Sequence, residues 1–338
     1  MPSQEWNKID FSEFVKEFNV DILIENAPTI IYSKKDKEHG AKFSLIASFI
    51  LAGALSFYII LSLVYLSVFF SLIAFITIIS IVALAELLFI LNYTRSNVII
   101  KPIECWVEIF KCIALNNVFF YCFVYYPIFS GKCHPHKAKD IIYKLYQEEI
   151  LKSKFDVTQI EVYLKKNFNN PNNCEPIGFC FQYGEGKTFN DENVNRNSWK
   201  FFPFDKSLND NFIVLANWDH QYEWRNDLSN DFGKLTELAP WVIQKWDKFD
   251  LKPLSEDFKE KINWHLRFGI KSMPKLNPWK NDLDKQIRGY NNSDACKDLE
   301  IINEAIEKII GKDIKIKRLR DLEGVLLKFK IYFRDLIL

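Results

Sequence analysis

From Phe43 to Tyr93 the chain carries one charged residue, Glu86, and no proline. As a single helix, fifty-one residues would be roughly 76 Å long at about 1.5 Å per residue. A hydrocarbon core of about 30 Å needs only about 20 helical residues. The pattern therefore predicts two transmembrane helices, at about 43–64 and 71–93, joined by a short turn. Lys34, Lys35, Lys37 and Lys42 precede the block, Arg95, Lys101 and Lys111 follow it, and the turn has no Lys or Arg. Basic residues favour the cytoplasmic side, so the expected topology is a multi-pass integral membrane protein with both termini cytoplasmic. Ser48, Ala52 and Ser56 on the first span, and Ala74 and Ser80 on the second, form small-residue stripes that let helices approach closely. Glu86 is costly in lipid and is a functional candidate for that reason.

Outside the block the pattern alternates between helical and strand spacing. Asp10 and Glu13 resemble a helix start, followed by Phe11, Phe14, Val15 and Phe18 at helical spacing; this short amphipathic helix could lie on the membrane surface but is expected to dock on the C-terminal domain, because its polar side carries Glu13 and Glu17. Ile103, Trp106, Val107, Phe110, Ile113 and Ala114 again give helical spacing. Residues 118–129 are apolar and aromatic but too short to span a bilayer, and read as a buried strand or interfacial segment. Helix is predicted within 136–167, and strands at 177–182, 199–204 and 212–216. Further helices are predicted at 241–249, 256–268, 295–310 and from 321 onward. The expected fold class is α+β: a two-helix transmembrane hairpin followed by a cytoplasmic domain with a small mixed or antiparallel sheet and several helices. The expected units are a segment at 1–42, the hairpin at 43–93, a juxtamembrane region at 94–135 and the cytoplasmic domain at 136–338.

Composition narrows the function classes. The net charge is +1, so no global field points to nucleic acid. Glycine is scarce, which argues against a Gly-rich dinucleotide-binding architecture. The seven cysteines have no regular spacing and read as reduced thiols rather than a disulfide framework. Gly186-Lys187-Thr188 lacks the earlier glycine that a phosphate loop needs, since Phe181 stands there.

The densest polar cluster is Trp218-Asp219-His220 with Glu223, Trp224 and Arg225. Asp219 and His220 could act as an acid–base pair and Arg225 could grip an anion. Trp218 and Trp224, with Lys315, Lys317, Arg318 and Arg320, are the candidate ligand-binding residues. Cys133, His134 and His136 place three metal-ligand types in four residues, without the spaced pairs of a zinc motif; no metal is expected, and these three are the alternative. The cofactor is left open. The layout is similar, in plan only and with no shared motif, to bacterial membrane effectors that pair a hairpin with a cytoplasmic sensor. The expected function is a membrane-anchored, non-enzymatic sensor or effector coupling ligand binding to an oligomerising hairpin. The alternatives are a membrane-bound enzyme using Asp219, His220 and Arg225, and an accessory subunit of a larger membrane complex. Expected partners are the lipid bilayer, a second copy of the chain, and a protein or small anionic ligand; nucleic acid is not expected.

Overall fold

The computed structural model describes residues 5–18, 20–41, 93–113, 118–136, 140, 144, 147, 153–167, 174–184, 199–204, 212–215, 217–225, 240–247, 250–262, 264 and 274–278. The first half of the described chain contains β1 (Asn7–Ile9), α1 (Phe11–Glu17), α2 (Asp21–Glu25), β2 (Thr29–Ser33), β3 (Lys37–Ala41), β4 (Tyr93–Ile99), β5 (Pro102–Ile113) and β6 (Val118–Phe129). The second half contains β7 (Asp156–Val157), β8 (Ile160–Asn167), β9 (Cys174–Gln182), β10 (Trp199–Pro203), β11 (Phe212–Leu215), β12 (Tyr222–Arg225), β13 (Trp241–Gln244), β14 (Leu251–Pro253) and α3 (Glu256–Lys261).

The largest sheet has the order β1-β5-β6-β8-β9-β10, with β14 added to β5 and β7 to β6. Its spine is the antiparallel pair β5–β6, in register from Glu104↔Ile128 to Ile113↔Phe119. Alternate side chains of a strand point to opposite faces. On β6, Tyr121, Phe123, Tyr125 and Phe129 enter one core, with Phe14, Leu23, Ile30, Ile31, Ile213 and Trp218. Phe120, Cys122, Val124, Tyr126 and Ile128 enter another, with Trp6, Leu254, Trp264 and Leu276. The sheet is thus covered on both faces. A second sheet, β12-β11-β2-β13, lies on the first face. The helix α1 docks there too: Phe14 meets Phe123 edge-on at 5.5 Å and Phe18 meets Tyr121 at 5.3 Å. Asp10 caps α1 by accepting the Ser12 N–H at 2.9 Å.

The two-stranded ladder β3–β4 pairs His39 with Arg95 and Ala41 with Tyr93, with a bulge between Lys37 and His39. The chain therefore leaves the described structure at 41 and re-enters it at a neighbouring point, 93.

These observations correct the expected fold class. The described chain is mostly β, with three short helices, rather than an α+β domain with several helices. The transmembrane hairpin falls on residues 43–92, which lie outside the described residues; Tyr93, expected to end its second span, opens β4. No helix among the described residues is long and apolar enough to cross a membrane. That finding contradicts the integral-membrane, multi-pass expectation. Helix was also expected at 103–114 and 241–249, where β5 and β13 stand. In β5 the residues between the helical-spaced ones are buried as well: Cys105 and Ile109 in the first core, Cys112 in the second. A strand covered on both faces loses its period of two and matches a helical template by default. The third helix, α3, covers Glu256–Lys261 of the expected 256–268 and starts at an N-cap Ser255; Trp264 is helical again, and 263 and 265–268 lie outside the described residues. Helical backbone is found at Asp140, Lys144 and Gln147, but β7 and β8 occupy the later part of 136–167. Strands expected at 177–182, 199–204 and 212–216 are found as β9, β10 and β11, and of the two readings of 118–129, buried strand or interfacial segment, the strand is the one observed, as β6. The predicted helices at 295–310 and beyond 321, and Gly186-Lys187-Thr188, lie outside the described residues.

Gly178 marks a close approach of two strands. A Cβ there would sit 2.3 Å from the Phe202 carbonyl oxygen and 2.6 Å from the Phe201 ring, where β10 pairs β9. Gly178→Ala should cost about 1–3 kcal/mol by overpacking, read as a lower denaturant midpoint; an unchanged midpoint would contradict this packing of β10.

Candidate metal centre

The turn between β2 and β3, the segment after β6, the strand β7 and the loop after β11 meet at one end of the first core. They bring together a dense set of buried polar side chains. At its centre is His220, which is 1% exposed. Its Nδ1 lies 2.8 Å from Asp156 Oδ2 and its Nε2 3.1 Å from Asp36 Oδ2. Its ring stacks on Phe129 at 4.2 Å. Lys132 completes the set, 2.6 Å from Asp219 Oδ1 and 3.4 Å from Asp156 Oδ2.

The loop is built to present His220. Asn217 Oδ1 accepts the Asp219 N–H at 3.1 Å and the Gln221 N–H at 3.3 Å, and its amide donates to Gln221 Oε1 at 2.8 Å. His220 itself has φ +55°, a left-handed conformation uncommon outside glycine. Backbone held there persists because the surroundings over-determine it. Burial alone pushes the imidazole towards its neutral form. The hydrogen bonds and charges of Asp156 and Asp36 outweigh that and raise its pKa to about 9. His220 is therefore an imidazolium at neutral pH, donating from both nitrogens. With both nitrogens engaged and no access to solvent, it is a clasp between segments rather than a free base.

Beside this clasp, His39 on β3, Cys133 after β6 and the helical residue Asp140 converge. Their ligand atoms all lie within 4.8 Å of one another, and all three residues are buried. His39 Nδ1 is 3.0 Å from Cys133 Sγ and 3.2 Å from Asp140 Oδ2. Asp140 is held in turn by the His134 N–H, 2.6 Å from Oδ1, and by Lys144, 3.5 Å from Oδ2. Burial and the Asp140 carboxylate push the Cys133 thiol well up. A reactive cysteine needs the opposite shift. A nucleophile–imidazole–carboxylate relay also needs its two partners on opposite ring nitrogens, and here both meet Nδ1. The geometry excludes that relay and leaves a convergent N, S, O donor set.

The expected site residues divide accordingly. Asp219 and His220 do come together, but with Asp36, Lys132 and Asp156 rather than with Arg225. Arg225 lies at the far end of β12, 3.6 Å from Glu223. Trp218 is buried against His134 at 4.4 Å, whereas Trp224 is half-buried and stacks with Phe202 at 6.1 Å, so the two do not form one cage. Of the metal alternative, Cys133 is in the donor set. His134 supports Asp140 through its backbone, its Nδ1 accepts the His136 N–H at 3.0 Å, and His136 is exposed. Glu86, Ser48, Ala52, Ser56, Ala74, Ser80, Lys315, Lys317, Arg318 and Arg320 lie outside the described residues. Asp36, His39, Lys132, Asp140, Lys144 and Asp156 were missed. One signal existed: the chain has only five histidines, and His39, His134, His136 and His220 all fall in this region.

Comparison with protein-family models, with curated proteins and with solved structures found no match. Fold and site together define, among the described residues, a mostly β structure with a buried set of mixed donors. The reading as a membrane-anchored effector, with its membrane-enzyme and membrane-complex alternatives, is corrected by the absence of any membrane-crossing helix among the described residues.

The clasp has a pH signature. Between the ordinary imidazole value of 6.5 and about 9, the folded state binds a proton that the unfolded state does not. Its stabilisation is therefore complete below pH 6.5 and lost as pH rises through about 9, on the order of 3 kcal/mol. Denaturant unfolding across that window should show this fall in the wild type and a much flatter profile in His220→Gln. Parallel profiles would refute the clasp.

Proposed function

We propose that the chain is a metal-binding protein that holds a zinc-class divalent cation between His39, Cys133 and Asp140. The observation that supports this reading is the convergence of three different donor atoms from three separate segments. Bonds of about 2.0–2.3 Å to zinc put tetrahedral donor atoms roughly 3.3–3.7 Å apart, close to the 3.0 and 3.2 Å found around His39 Nδ1. One imidazole, one thiolate and one carboxylate suit a borderline transition metal rather than calcium or magnesium, which take oxygen donors.

A coordinating thiol is deprotonated outright, so the cation would hold Cys133 as a thiolate. With three donors among the described residues, a fourth position remains for water or another ligand. Because the donors are nearly sealed from solvent, the role this supports is structural: the cation fastens β3 to the segment after β6.

Elemental analysis of the purified full chain should find about one zinc-class ion per molecule, and chelation should lower the melting temperature. Cobalt substitution should give a thiolate-to-cobalt charge-transfer band that Cys133→Ser abolishes, with metal content also lost in His39→Gln. Purified protein with no stoichiometric metal, no response to chelator and no thiolate band after cobalt loading would remove the proposal.

A further inference from the structure

The opposite face of the large sheet carries a second buried polar group that the metal centre does not use. Glu161 on β8 is 0% exposed. Gln159 Nε2 donates to its Oε1 at 2.7 Å, and the Tyr163 hydroxyl donates to its Oε2. The third donor comes from a distant segment: the Lys275 N–H reaches Oε2 at 2.9 Å. The next residue is seated in the same way. The Leu276 N–H donates to Tyr163 Oη at 3.0 Å, and Trp6 Nε1 donates to the Leu276 carbonyl at 2.8 Å. The Leu276 side chain is 1% exposed, in the second core. Prolines stand at 274 and 278. Their missing N–H groups keep these positions from donating in a strand ladder. The segment 274–278 is thus an irregular strap, held across the sheet by two side chains of β8, one N-terminal tryptophan and one leucine.

We propose that residues 274–278 form a releasable strap seated on Glu161 and Tyr163, and that the ionisation of Glu161 sets how firmly the strap is held. Among the described residues, these titratable and charged groups face Glu161. Cys122 on β6 and Cys180 on β9 flank it, and burial pushes both thiols well above their ordinary value. Tyr163 is raised in the same way, by burial and by Glu161 itself. Lys275 supplies the nearby positive charge. Burial is the largest influence on Glu161; it outweighs Lys275 and the three donors and pushes the carboxyl up to about 7.

Release of the strap admits water, which returns a carboxyl to its ordinary range near 4.5. The seated state then holds a proton that the released state lacks between pH 4.5 and about 7. By linkage, seating is firmest in acid, weakens as pH rises through that window, and is constant above it. The change is about tenfold in the seating equilibrium per pH unit.

Hydrogen exchange of the full chain, read on a peptide containing Lys275 and Leu276 and corrected for intrinsic exchange, tests this directly. From pH 5.5 to 8.5 the wild type should lose protection at these two amides about tenfold per unit up to 7 and then level off, while β8 stays protected. Glu161→Gln should abolish the dependence. The proposal is overturned if Glu161→Gln keeps the wild-type profile, or if the strap never exchanges faster than β8. If Glu161→Gln does not fold, Tyr163→Phe serves: it keeps the carboxyl but removes the acceptor for the Leu276 N–H. Protection at Leu276 must then fall, and unchanged protection overturns the seat.

Discussion

The constraint on which the structure depends is the double-sided burial of β6. Twelve residues from Val118 to Phe129 contain four phenylalanines and three tyrosines, and a single layer cannot cover them. Neighbours β5 and β8 satisfy its backbone, but each face also needs a layer of its own. On one face that layer is α1, α2 and the β12-β11-β2-β13 sheet. On the other it is Trp6, α3, Trp264 and the strap at 274–278. Much of the topology follows from this demand. The N-terminal segment contributes to both faces, and the chain returns to the edge of β5 as β14 after completing the second sheet.

The two covers meet their polar obligations differently. Where the second sheet joins the first, four segments converge and their turns bring carboxylates out of water. Burying an unpaired charge there would cost several kcal/mol, and the clasp of His220 with Asp36 and Asp156, together with Lys132 and Asp219, compensates. The register of β3 against β4 shifts between Lys37 and His39, next to the His39 donor. Under the opposite cover, Glu108 keeps its charge because Lys8 and Lys259 reach it, each at 2.8 Å. Burial would raise it, but these two ammonium groups hold its pKa below the ordinary carboxylate value.

Local pattern was legible where burial was one-sided or turn chemistry punctuated the chain. Ile177, Phe179 and Phe181 alternate with smaller or polar residues, and β9 is there. Asp10 caps a helix whose Phe14 is its one buried residue. The pattern failed at β5 because covering both faces erased the period of two, leaving Trp106, Phe110 and Ile113 at helical spacing. For the site, the chain showed Cys133, Asp219 and His220 but not what they touch. Asp36 and His220 are 184 residues apart, and His39 and Cys133 are 94 apart. Such pairs exist only once the sheet order is fixed. Arg225 was grouped with His220 because it is near in sequence, yet β12 runs between them, and five extended residues span roughly 16 Å.

His220 and Glu161 show why burial alone does not decide what a buried ionisable group does. Both are almost sealed from solvent, and for both burial is the largest influence. It acts in opposite directions on their pKa values, down for the base and up for the acid. At His220 two carboxylates overcome it, so the group ends charged at neutral pH and its charge holds the segments together. At Glu161 the donors are backbone, amide and phenol, with one lysine, and they do not overcome it. The group ends near the middle of its titration at neutral pH. A fixed opposite charge on each side makes a permanent clasp, whereas neutral donors make a seat whose hold varies with pH. The proposed metal therefore sits beside a fixed charge pair, whereas the strap rests on a group whose charge changes near neutrality.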